Sequence, residues 1–330
     1  MSAQTIKSLT FSCKEMDQPP LSTKNYKYCA IIVTYNRVPN LQVINKSILE
    51  GTLDLLIISD NSGNKSLLDG IRQQFIPEKS NKYIIIENNS NLGISKAMNI
   101  ALNEASKLGY NFAFLLDDDA NISDDFFKLE KEMIENLIND GNKIGAVCPA
   151  VSNNFNHLGK QVKRYYASEV KRCITSGMLL NVSVAKYIGG YPESFFLGMA
   201  DVEFTYRMYL NGFKIIRINR VLICQEFGKS IKSPLASFLV LPIRMLSFLN
   251  FNLNRFNDII YYCPSYSPER INDIHIATIS YQKEHTSPLL LNIRLFFERI
   301  INIYWHMMLY MLTHDNDYLK LNLRGQNEDQ

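Results

Sequence analysis

Three adjacent carboxylates, Asp117, Asp118 and Asp119, directly follow a short run of apolar residues. A buried strand that ends in such a triplet brings like charges together, which is unfavourable unless a cation is present. Mg²⁺ prefers oxygen ligands and typically bridges one or two carboxylates to the phosphates of a substrate. The triplet therefore predicts metal-assisted chemistry on a phosphorylated donor. The alternative is a solvated acidic turn, in which Asp124 and Asp125 cap the next helix.

Two earlier loops also place polar side chains at predicted strand ends. The first contains Thr34, Tyr35 and Arg37, and the second contains Asp60 and Asn61. Asp60 could accept hydrogen bonds from the amide edge of a base, while Tyr35 stacks beside it. Turn formation without any ligand, in which Asp and Asn bond their own backbone, explains the same residue types.

A third segment, residues 89–99, follows the next apolar run and opens a helix. Gly93 permits close approach of the backbone, and a helix N-terminus attracts anions. Lys96 and Asn99 then share one face of the helix, from which they could reach a diphosphate or the aspartates. Ordinary capping by Asn91 is the alternative. The segment contains neither the dinucleotide-binding fingerprint nor the phosphate-binding P-loop.

A fourth segment combines the turn residues 189–192 with an aromatic pair that ends in Phe196 and a predicted helix over 201–210. A carboxylate at the start of a helix beside an aromatic segment could act as a general base toward a hydroxyl group. Asp201 is the candidate. Helix capping by Asp201, with Glu203 as a first-turn acid, is an alternative that is compatible with catalysis.

The elements that would position these loops alternate between apolar strands and amphipathic helices from residue 28 to residue 150. The predicted strands are 29–34, 53–59, 83–86, 112–116 and 144–147, and the predicted helices begin near Leu41, Ser66, Ile94 and Asp124. Strands of nearly continuous apolar character are typical of a parallel sheet covered on both faces. Residues 152–171 are predicted to form a loop or a pair of strands. The sequence thus predicts an α/β fold with the polar loops at the carboxyl edge of the sheet.

The whole chain has 330 residues, of which 46% are hydrophobic, and a formal net charge of +3. This composition is typical of one large globular domain or of a domain with a smaller appendage. The net charge is too small to argue for nucleic acid as a partner. Six scattered cysteines without a CxxC pair favour buried thiols in a reducing cytoplasm over zinc or redox sites. The polar residues 1–26 are expected to form a loose extension and not a signal peptide.

The tail, residues 229–330, differs in composition from the rest, and we expect a boundary near Phe227. Residues 289–312 are rich in apolar side chains, but at 100° per residue five polar side chains share one arc of roughly 140°. They are Arg294, Glu298, Arg299, Asn302 and His306. A membrane-spanning helix would not tolerate this stripe without a partner. This run and the similar run 237–251 are expected to lie in a membrane interface, or to pack on the core or in a homodimer.

Taken together, the order of these motifs resembles the family 2 inverting glycosyltransferases with a GT-A fold. The resemblance is closest to the bacterial rhamnosyltransferase-like and galactofuranosyltransferase-like branch. The matching segments are 33–37, 59–62, 89–99, 115–119, 175–177 and 189–212, within residues 27–228. The resemblance implies a mixed, mainly parallel sheet flanked by helices, with a helical C-terminal region. It also implies a nucleotide-binding part, 27–120, and an acceptor-binding part, 121–228.

The resemblance further implies metal-dependent transfer of a sugar from a nucleotide-diphosphate donor of the dTDP-rhamnose, UDP-hexose or UDP-galactofuranose type. The acceptor would be a saccharide or lipid-linked saccharide used for bacterial surface polysaccharides, at the inner face of the membrane. Asp201 is implied to be the catalytic base, and Asp117 and Asp119 to hold Mn²⁺ or Mg²⁺. The implied nucleotide and donor site consists of Thr34, Tyr35, Arg37, Asp60, Asn61, Gly93, Lys96, Asn99, Asp117 and Asp118. The implied acceptor site consists of Ser176, Gly177, Phe196 and Glu203.

One position departs from the family pattern. Related enzymes often supply a metal-binding histidine in an H-x-x-G element, where this chain has Gln225 followed by Glu226. Glu226 could offer an oxygen ligand instead, and the affinity and identity of the metal stay open. Two other functions stay open from the sequence. A sugar-phosphate nucleotidyltransferase would need a glycine-rich loop, which residues 34–37 are not, and an inactive GT-A binding protein is favoured only by Gln225.

Overall fold

The computed structural model describes residues 25–163, 166–225, 229–231, 239 and 263–319. They belong to two compact units. The described part of the first unit comprises residues 25–163, 166–196 and 200–225, and the second comprises residues 197–199 and the described residues from 229 onward. The predicted boundary near Phe227 lies outside the described residues, as do most of the predicted extension 1–26 and of the apolar run 237–251.

The first unit contains nine strands and six α-helices in its described part. The strands are β1 (Tyr28–Thr34), β2 (Leu55–Asp60), β3 (Tyr83–Glu87), β4 (Phe112–Asp117), β5 (Asn121–Ile122), β6 (Ile144–Ser152), β7 (Ala167–Val170), β8 (Met178–Asn181) and β9 (Lys214–Cys224). The helices are α1 (Gln42–Leu49), α2 (Lys65–Arg72), α3 (Ile94–Lys107), α4 (Phe126–Asn139), α5 (Val182–Tyr187) and α6 (Ala200–Leu210). All five predicted strands are confirmed, and the predicted helix starts are confirmed to within two residues.

The strands form one mixed sheet in the order β3-β2-β1-β4-β8-β6-β9-β5, with β7 paired to β9. Strands β1 to β4 are parallel, because α1, α2 and α3 connect them as crossovers. In this register Thr34 lies opposite Asp60, and Val33 lies opposite Asp117. The polar loops after β1, β2 and β4 therefore meet at the carboxyl edge of the sheet, as predicted.

The second half of the sheet is mixed, because β6 and β9 run in the same direction as β1 to β4 and only β5, β7 and β8 run in the opposite direction. Strand β8 pairs antiparallel with both β4 and β6, and β9 runs parallel to β6 and antiparallel to β5 and β7. The segment 152–171 contributes β7, which confirms a strand there. Strand β9 was not among the predicted strands, although it is the longest of the first unit. The predicted mixed sheet is confirmed, and its parallel half carries the polar loops.

Burial of apolar side chains on both faces holds the sheet between its helices. Every residue of β1 is buried, as is every residue of β2. From helix α4, Phe126 packs against Phe114 of β4 with a tilted ring, and Phe127 packs edge-on against the same side chain. Fully burying one such side chain contributes about 1.5–3 kcal/mol. Cys29, Cys148 and Cys224 are buried free thiols, as expected.

One buried carboxyl group lies in this core without a hydrogen bond. Glu130 of α4 is fully buried, and neither of its carboxyl oxygens has a hydrogen-bond partner. Burial raises the pKa of Glu130 well above its usual range, and the neighbouring Cys148 acts in the same direction. The carboxyl group is therefore protonated in the folded protein at pH values where the unfolded chain has already released the proton.

This difference predicts a pH-dependent loss of stability. Because the folded pKa is raised, the unfolded state binds fewer protons above its own pKa, and the free energy of unfolding falls by about 1.4 kcal/mol per pH unit until the folded group titrates. Glu130→Gln does not titrate, so its stability relative to the wild type should rise over this interval. Urea unfolding between about pH 5 and pH 8 measures the difference. Glu132→Gln, on the same helix but paired with Lys128 near the surface, is the control and should show no such trend.

The described part of the second unit is mainly helical. It contains the antiparallel pair β10 (Lys229–Ile231) and β11 (Cys263–Ser265), followed by α7 (Pro268–His285) and α8 (Pro288–Thr313). Ser267 caps α7 by accepting a hydrogen bond from the backbone N–H of Arg270. A small apolar core joins Ile271 of α7 to Trp305 and Leu309 of α8. Among the described residues, none of the helices combines the length and apolar character that crossing a membrane requires.

Candidate active site

Asp60, at the end of β2, forms the floor of the site. Its side chain is buried and accepts hydrogen bonds at 3.1 Å from the Thr34 hydroxyl and from the backbone N–H groups of Ser62 and Gly63. These three hydrogen bonds form a turn that needs no ligand, which was the alternative to nucleotide binding in the sequence analysis. A carboxylate offers about four acceptor positions, so roughly one position stays available to accept a hydrogen bond from a nucleotide base. The nucleotide-binding roles of Thr34 and Asp60 remain predictions.

Asn61 connects this turn to the loop before α3. Its side chain donates to the backbone carbonyl of Gly93 at 3.2 Å and accepts from Asn88 at 3.0 Å. Gly93 itself requires glycine, because its φ is +80° and a Cβ atom there would lie 2.7 Å from the backbone oxygen of Phe196. The same oxygen accepts a hydrogen bond from the N–H of Ile94 at 2.7 Å. Asn61 and Gly93 thus position the N-terminus of α3 in the structure.

The acidic triplet extends from the end of β4 and contacts the loop after β1. Arg37 lies 3.2 Å from Asp119 and 4.0 Å from Asp118, and the backbone N–H of Tyr35 donates to Asp118 at 3.2 Å. Burial raises the pKa of Asp118, and both Tyr35 and Arg37 oppose this increase. The side chains of Tyr35 and Arg37 are about half exposed. The loop after β1 therefore supplies a cation, Arg37, that offsets the negative charge of the triplet.

Asp117 is a carboxyl group with a strongly raised pKa. Burial, followed by the charges of Asp119, Asp201 and Asp118, raises the pKa of Asp117 to about 7. A hydrogen bond from Gln225 acts in the opposite direction. Asp201 is therefore close enough to Asp117 to influence its ionisation, although 84 residues separate them in the sequence. The structure brings the predicted metal ligands and the predicted base to one place.

Gln225 lies beside this cluster at the end of β9. The side chain is 5% exposed, and its amide oxygen is buried without a hydrogen-bond partner. Leaving a buried polar atom unpaired costs about 1–3 kcal/mol, so such atoms point to a missing ligand, ion or water. The neighbouring Glu226 lies outside the described residues. The residue that departs from the family pattern is thus in direct contact with the predicted metal ligand Asp117.

Asp201 is held in place by the start of α6. Met199, just before the helix, has a φ of 62°, a left-handed conformation that is uncommon for a residue with a side chain. Asp201 lies in the first turn of the helix, and its carboxylate accepts from the N–H of Val202 at 2.8 Å. Its backbone carbonyl accepts from the Thr205 hydroxyl at 2.7 Å. Backbone geometry and a local hydrogen bond therefore determine where the carboxylate lies.

The predicted turn at residues 189–192 is clamped from two directions. Asn99 of α3 accepts from the N–H of Tyr191 at 2.8 Å and donates to its carbonyl at 2.9 Å and to Glu193 at 3.1 Å. Arg207 of α6 donates to the backbone carbonyls of Ile188 and Gly190. These contacts give Asn99 a positioning role in the structure, and its predicted contact with the donor stays a prediction.

The guanidinium of Arg207 is itself held by Glu203. The two side chains form a pair of hydrogen bonds at 2.7 Å and 2.8 Å, and Glu203 is 3% exposed. Sequence analysis did not assign Arg207, although its i, i+4 spacing from Glu203 is a usable signal for a helical ion pair. Glu203 thus has a structural partner, and the acceptor-binding role predicted for it remains untested.

Ser176 and Gly177 lie under the carboxyl edge, between β7 and β8. Gly177 has a φ of +83°, and a Cβ atom there would lie 2.9 Å from the side chain of Pro149. Its N–H donates to the carbonyl of Leu115 at 2.7 Å, which fastens the loop to β4. The hydroxyl of Ser176 is buried without a partner. Phe196 is about half exposed, as a contact for an acceptor would require.

The site therefore combines crowded carboxylates, unpaired buried oxygens and the N-terminus of a helix. Residues 29–195, just over half of the chain, match the profile of glycosyl transferase family 2. The chain belongs to this family, and it is a glycosyltransferase. No curated protein sequence matches it.

Two solved structures illustrate the fold similarity. Residues 1–349 of S. aureus TarS, in complex with UDP, align with a TM-score of 0.51 and 16% sequence identity over 92% of each chain. The mannosyltransferase PcManGT from Pyrobaculum calidifontis, in complex with GDP-Man and Mn²⁺, gives a TM-score of 0.46 and 14% identity over 96% of this chain and 93% of its own. The likeness to TarS confirms the predicted GT-A fold.

Proposed function

We propose that this glycosyltransferase moves a sugar, with inversion, from a nucleotide-diphosphate donor to a hydroxyl group of a saccharide or lipid-linked saccharide. The observation that carries the proposal is that Asp201 and Asp119 both lie near enough to Asp117, at the carboxyl edge of the sheet, to raise its pKa. The UDP bound to TarS supports a nucleoside diphosphate as the leaving group. Donors of the dTDP-rhamnose, UDP-hexose or UDP-galactofuranose type, and a role in bacterial surface polysaccharide synthesis, follow from the resemblance in sequence.

A divalent cation fits the residues at this site. Asp117 and Asp119 offer carboxylate oxygens, and the unpaired buried oxygen of Gln225 offers a third ligand of the neutral amide type. Carboxylate and amide oxygens are ligands that Mg²⁺ and Mn²⁺ accept. When bound, the cation would offset the negative charge that develops on the departing diphosphate.

The chain's own residues have separate tasks in the proposed reaction. Asp201 accepts the proton of the acceptor hydroxyl while the oxygen attacks the anomeric carbon from the side opposite the diphosphate. Lys96 is exposed in the first turn of α3, where its charge and the helix N-terminus favour the diphosphate. Arg37 exchanges its contact with Asp119 for a phosphate when the donor binds. Phe196 contacts the acceptor.

The two alternative functions are less well supported. A nucleotidyltransferase needs a glycine-rich loop after β1, and the loop over residues 35–41 contains no glycine. The family match also favours sugar transfer. An inactive binding protein would bind the donor without releasing nucleoside diphosphate.

A thermal-shift assay with nucleotide sugars tests donor binding. With Mn²⁺ present, the correct donor should raise the melting temperature, because a ligand at 100 times its dissociation constant stabilises the native state by about 2.7 kcal/mol. Lys96→Ala should reduce this shift, because the diphosphate loses a cation. Lys107→Ala is the matched control at the other end of α3, where Lys107 pairs with Glu104. Equal shifts for both variants would remove Lys96 from the donor site.

Release of nucleoside diphosphate distinguishes an enzyme from a binding protein. The proposal expects release that depends on both the donor that gives the thermal shift and a saccharide acceptor. A thermal shift without release for any acceptor in a panel that includes lipid-linked saccharides would support the binding-protein alternative instead.

A further inference from the structure

The C-terminal helix α8 is apolar on two opposite sides. One side packs into the core of the second unit through Ile301, Trp305 and Leu309. The other side exposes seven large apolar side chains to solvent, each between 39% and 86% exposed: Leu289, Ile293, Phe296, Ile300, Ile303, Met307 and Met311. We call these seven residues the outer stripe. A contiguous exposed apolar patch of several hundred Å² normally marks an interaction site, so the outer stripe calls for a covering surface.

The polar side chains of α8 are turned away from the outer stripe. Glu298 and His306 are buried, and Glu298 lies 3.4 Å from His275 of α7. Arg294 donates to Gln282 and Thr286, at the C-terminal end of α7. The polar arc predicted from the sequence therefore faces α7 in part, and the apolar face opposite to it is the exposed one.

The spacing of the outer stripe is that of a helix-pairing seam. Its members follow one another at intervals of four, three, four, three, four and four residues. At 100° per residue they fall within an arc of roughly 80°. These intervals average about 3.7 residues, so the stripe stays nearly straight along the helix, and a narrow apolar stripe of this kind is typical of packing between helices. An interfacial membrane helix has a broader apolar face and basic residues along its polar side.

The charges of α8 also argue against a lipid surface. Of its two arginines, Arg294 is engaged by α7, and Arg299 is the one exposed at the border of the outer stripe. One basic residue near an anionic membrane contributes only about 1 kcal/mol. A second copy of the chain needs no such charges, because a two-fold axis brings the same apolar stripe to both sides of the contact.

The area of the outer stripe is sufficient for a stable dimer. Seven side chains that are roughly half exposed, with about 150–220 Å² each when fully exposed, present on the order of 700 Å². Two copies would then bury roughly 1,400 Å², within the range of about 1,200–2,000 Å² for specific interfaces. We propose that the outer stripe of α8 is a homodimerisation surface, in which α8 of one copy packs against α8 of a second copy.

Sedimentation velocity of the full chain tests this proposal. The wild type should sediment as a dimer at micromolar concentration, and Ile300→Glu, at the middle of the stripe, should raise the dissociation constant at least 100-fold by burying two like charges. Ile276→Glu is the matched control, because Ile276 lies on α7 outside the stripe and is 55% exposed. Circular dichroism and the melting temperature of each variant establish that it is folded.

Disulfide trapping gives a second readout that does not depend on destabilisation. Under mild oxidation, a chain carrying Ile300→Cys should form a covalent dimer, and one carrying Ile276→Cys should not. The proposal is overturned by a wild type that is monomeric at all concentrations, or by a dimer that withstands Ile300→Glu. Flotation of a monomeric wild type with phosphatidylglycerol-containing vesicles, lost in Ile300→Glu, would overturn it in favour of a lipid surface.

Discussion

Replacing Asp201 by asparagine should lower kcat by about 10³-fold while the affinity for the donor stays within a few-fold of the wild type. General-base catalysis typically contributes 10²–10⁴-fold, and an amide cannot accept the proton at neutral pH. The same amide keeps the shape of the side chain, and its oxygen can still accept the hydrogen bond from Val202. The fold at the start of α6 should therefore be preserved. Calorimetry with the donor and steady-state kinetics measure the two quantities.

Glu203 is the appropriate control for this experiment, because it is a second carboxylate on the same helix, two residues away. It is bound to Arg207 by two hydrogen bonds, and Arg207 holds the turn at residues 188–190. Glu203→Gln should lower the melting temperature with a smaller loss of kcat than Asp201→Asn. Near-normal turnover by Asp201→Asn together with a large loss in Glu203→Gln would transfer the role of base to Glu203.

The parallel half of the sheet could be predicted from the sequence because its strands are buried on both faces. The runs that became β1 and β2 are almost entirely apolar, and each is followed by residues that turn the chain. Carboxyl ends of parallel strands meet at one edge, so the convergence of Asp60 and Asp117 followed from strand order alone.

Strand β9 was missed because polar residues interrupt its apolar pattern. Asn219 is fully buried, and its side-chain oxygen accepts from Ser168 and from Arg217. Arg220 donates to the carbonyl of Gly159 and lies 2.8 Å from Asp125. Apart from Arg217, the partners that make these residues acceptable in a buried strand come from distant parts of the chain. No local pattern reveals them.

The contacts that position the site were the least predictable part. Asn99 and Arg207 hold the same turn, yet Asn99 is 92 residues from Tyr191 in the sequence. Sequence analysis assigned Asn99 to the donor because it shares a helix face with Lys96. An amide that clamps a turn and an amide that binds a ligand have the same signature in a sequence.

Replacing Asp119 by alanine should remove the metal-dependent part of donor binding and lower kcat/KM by about 10²–10³-fold. That factor is typical for the loss of one group that stabilises charge in a transition state. Asp119 is proposed as a metal ligand together with Asp117 and Gln225. In the structure it also pairs with Arg37 at 3.2 Å. The thermal shift given by the donor with Mn²⁺ should fall to the value measured without metal, and Mn²⁺ affinity in the presence of UDP should fall in parallel.

Asp118 provides the comparison that makes this prediction specific. It carries the same charge in the adjacent position, but it accepts a backbone hydrogen bond from Tyr35 and lies 4.0 Å from Arg37. The general loss of negative charge is equal in the two variants. Asp118→Ala should nevertheless weaken Mn²⁺ binding less than Asp119→Ala, because only Asp119 is proposed as a ligand of the metal. Gln225→Ala should weaken Mn²⁺ binding as well, because it removes the proposed amide ligand. If Asp118→Ala and Asp119→Ala lowered the affinity for Mn²⁺ equally, binding would depend only on the summed charge of the triplet. The assignment of individual ligands would then be wrong.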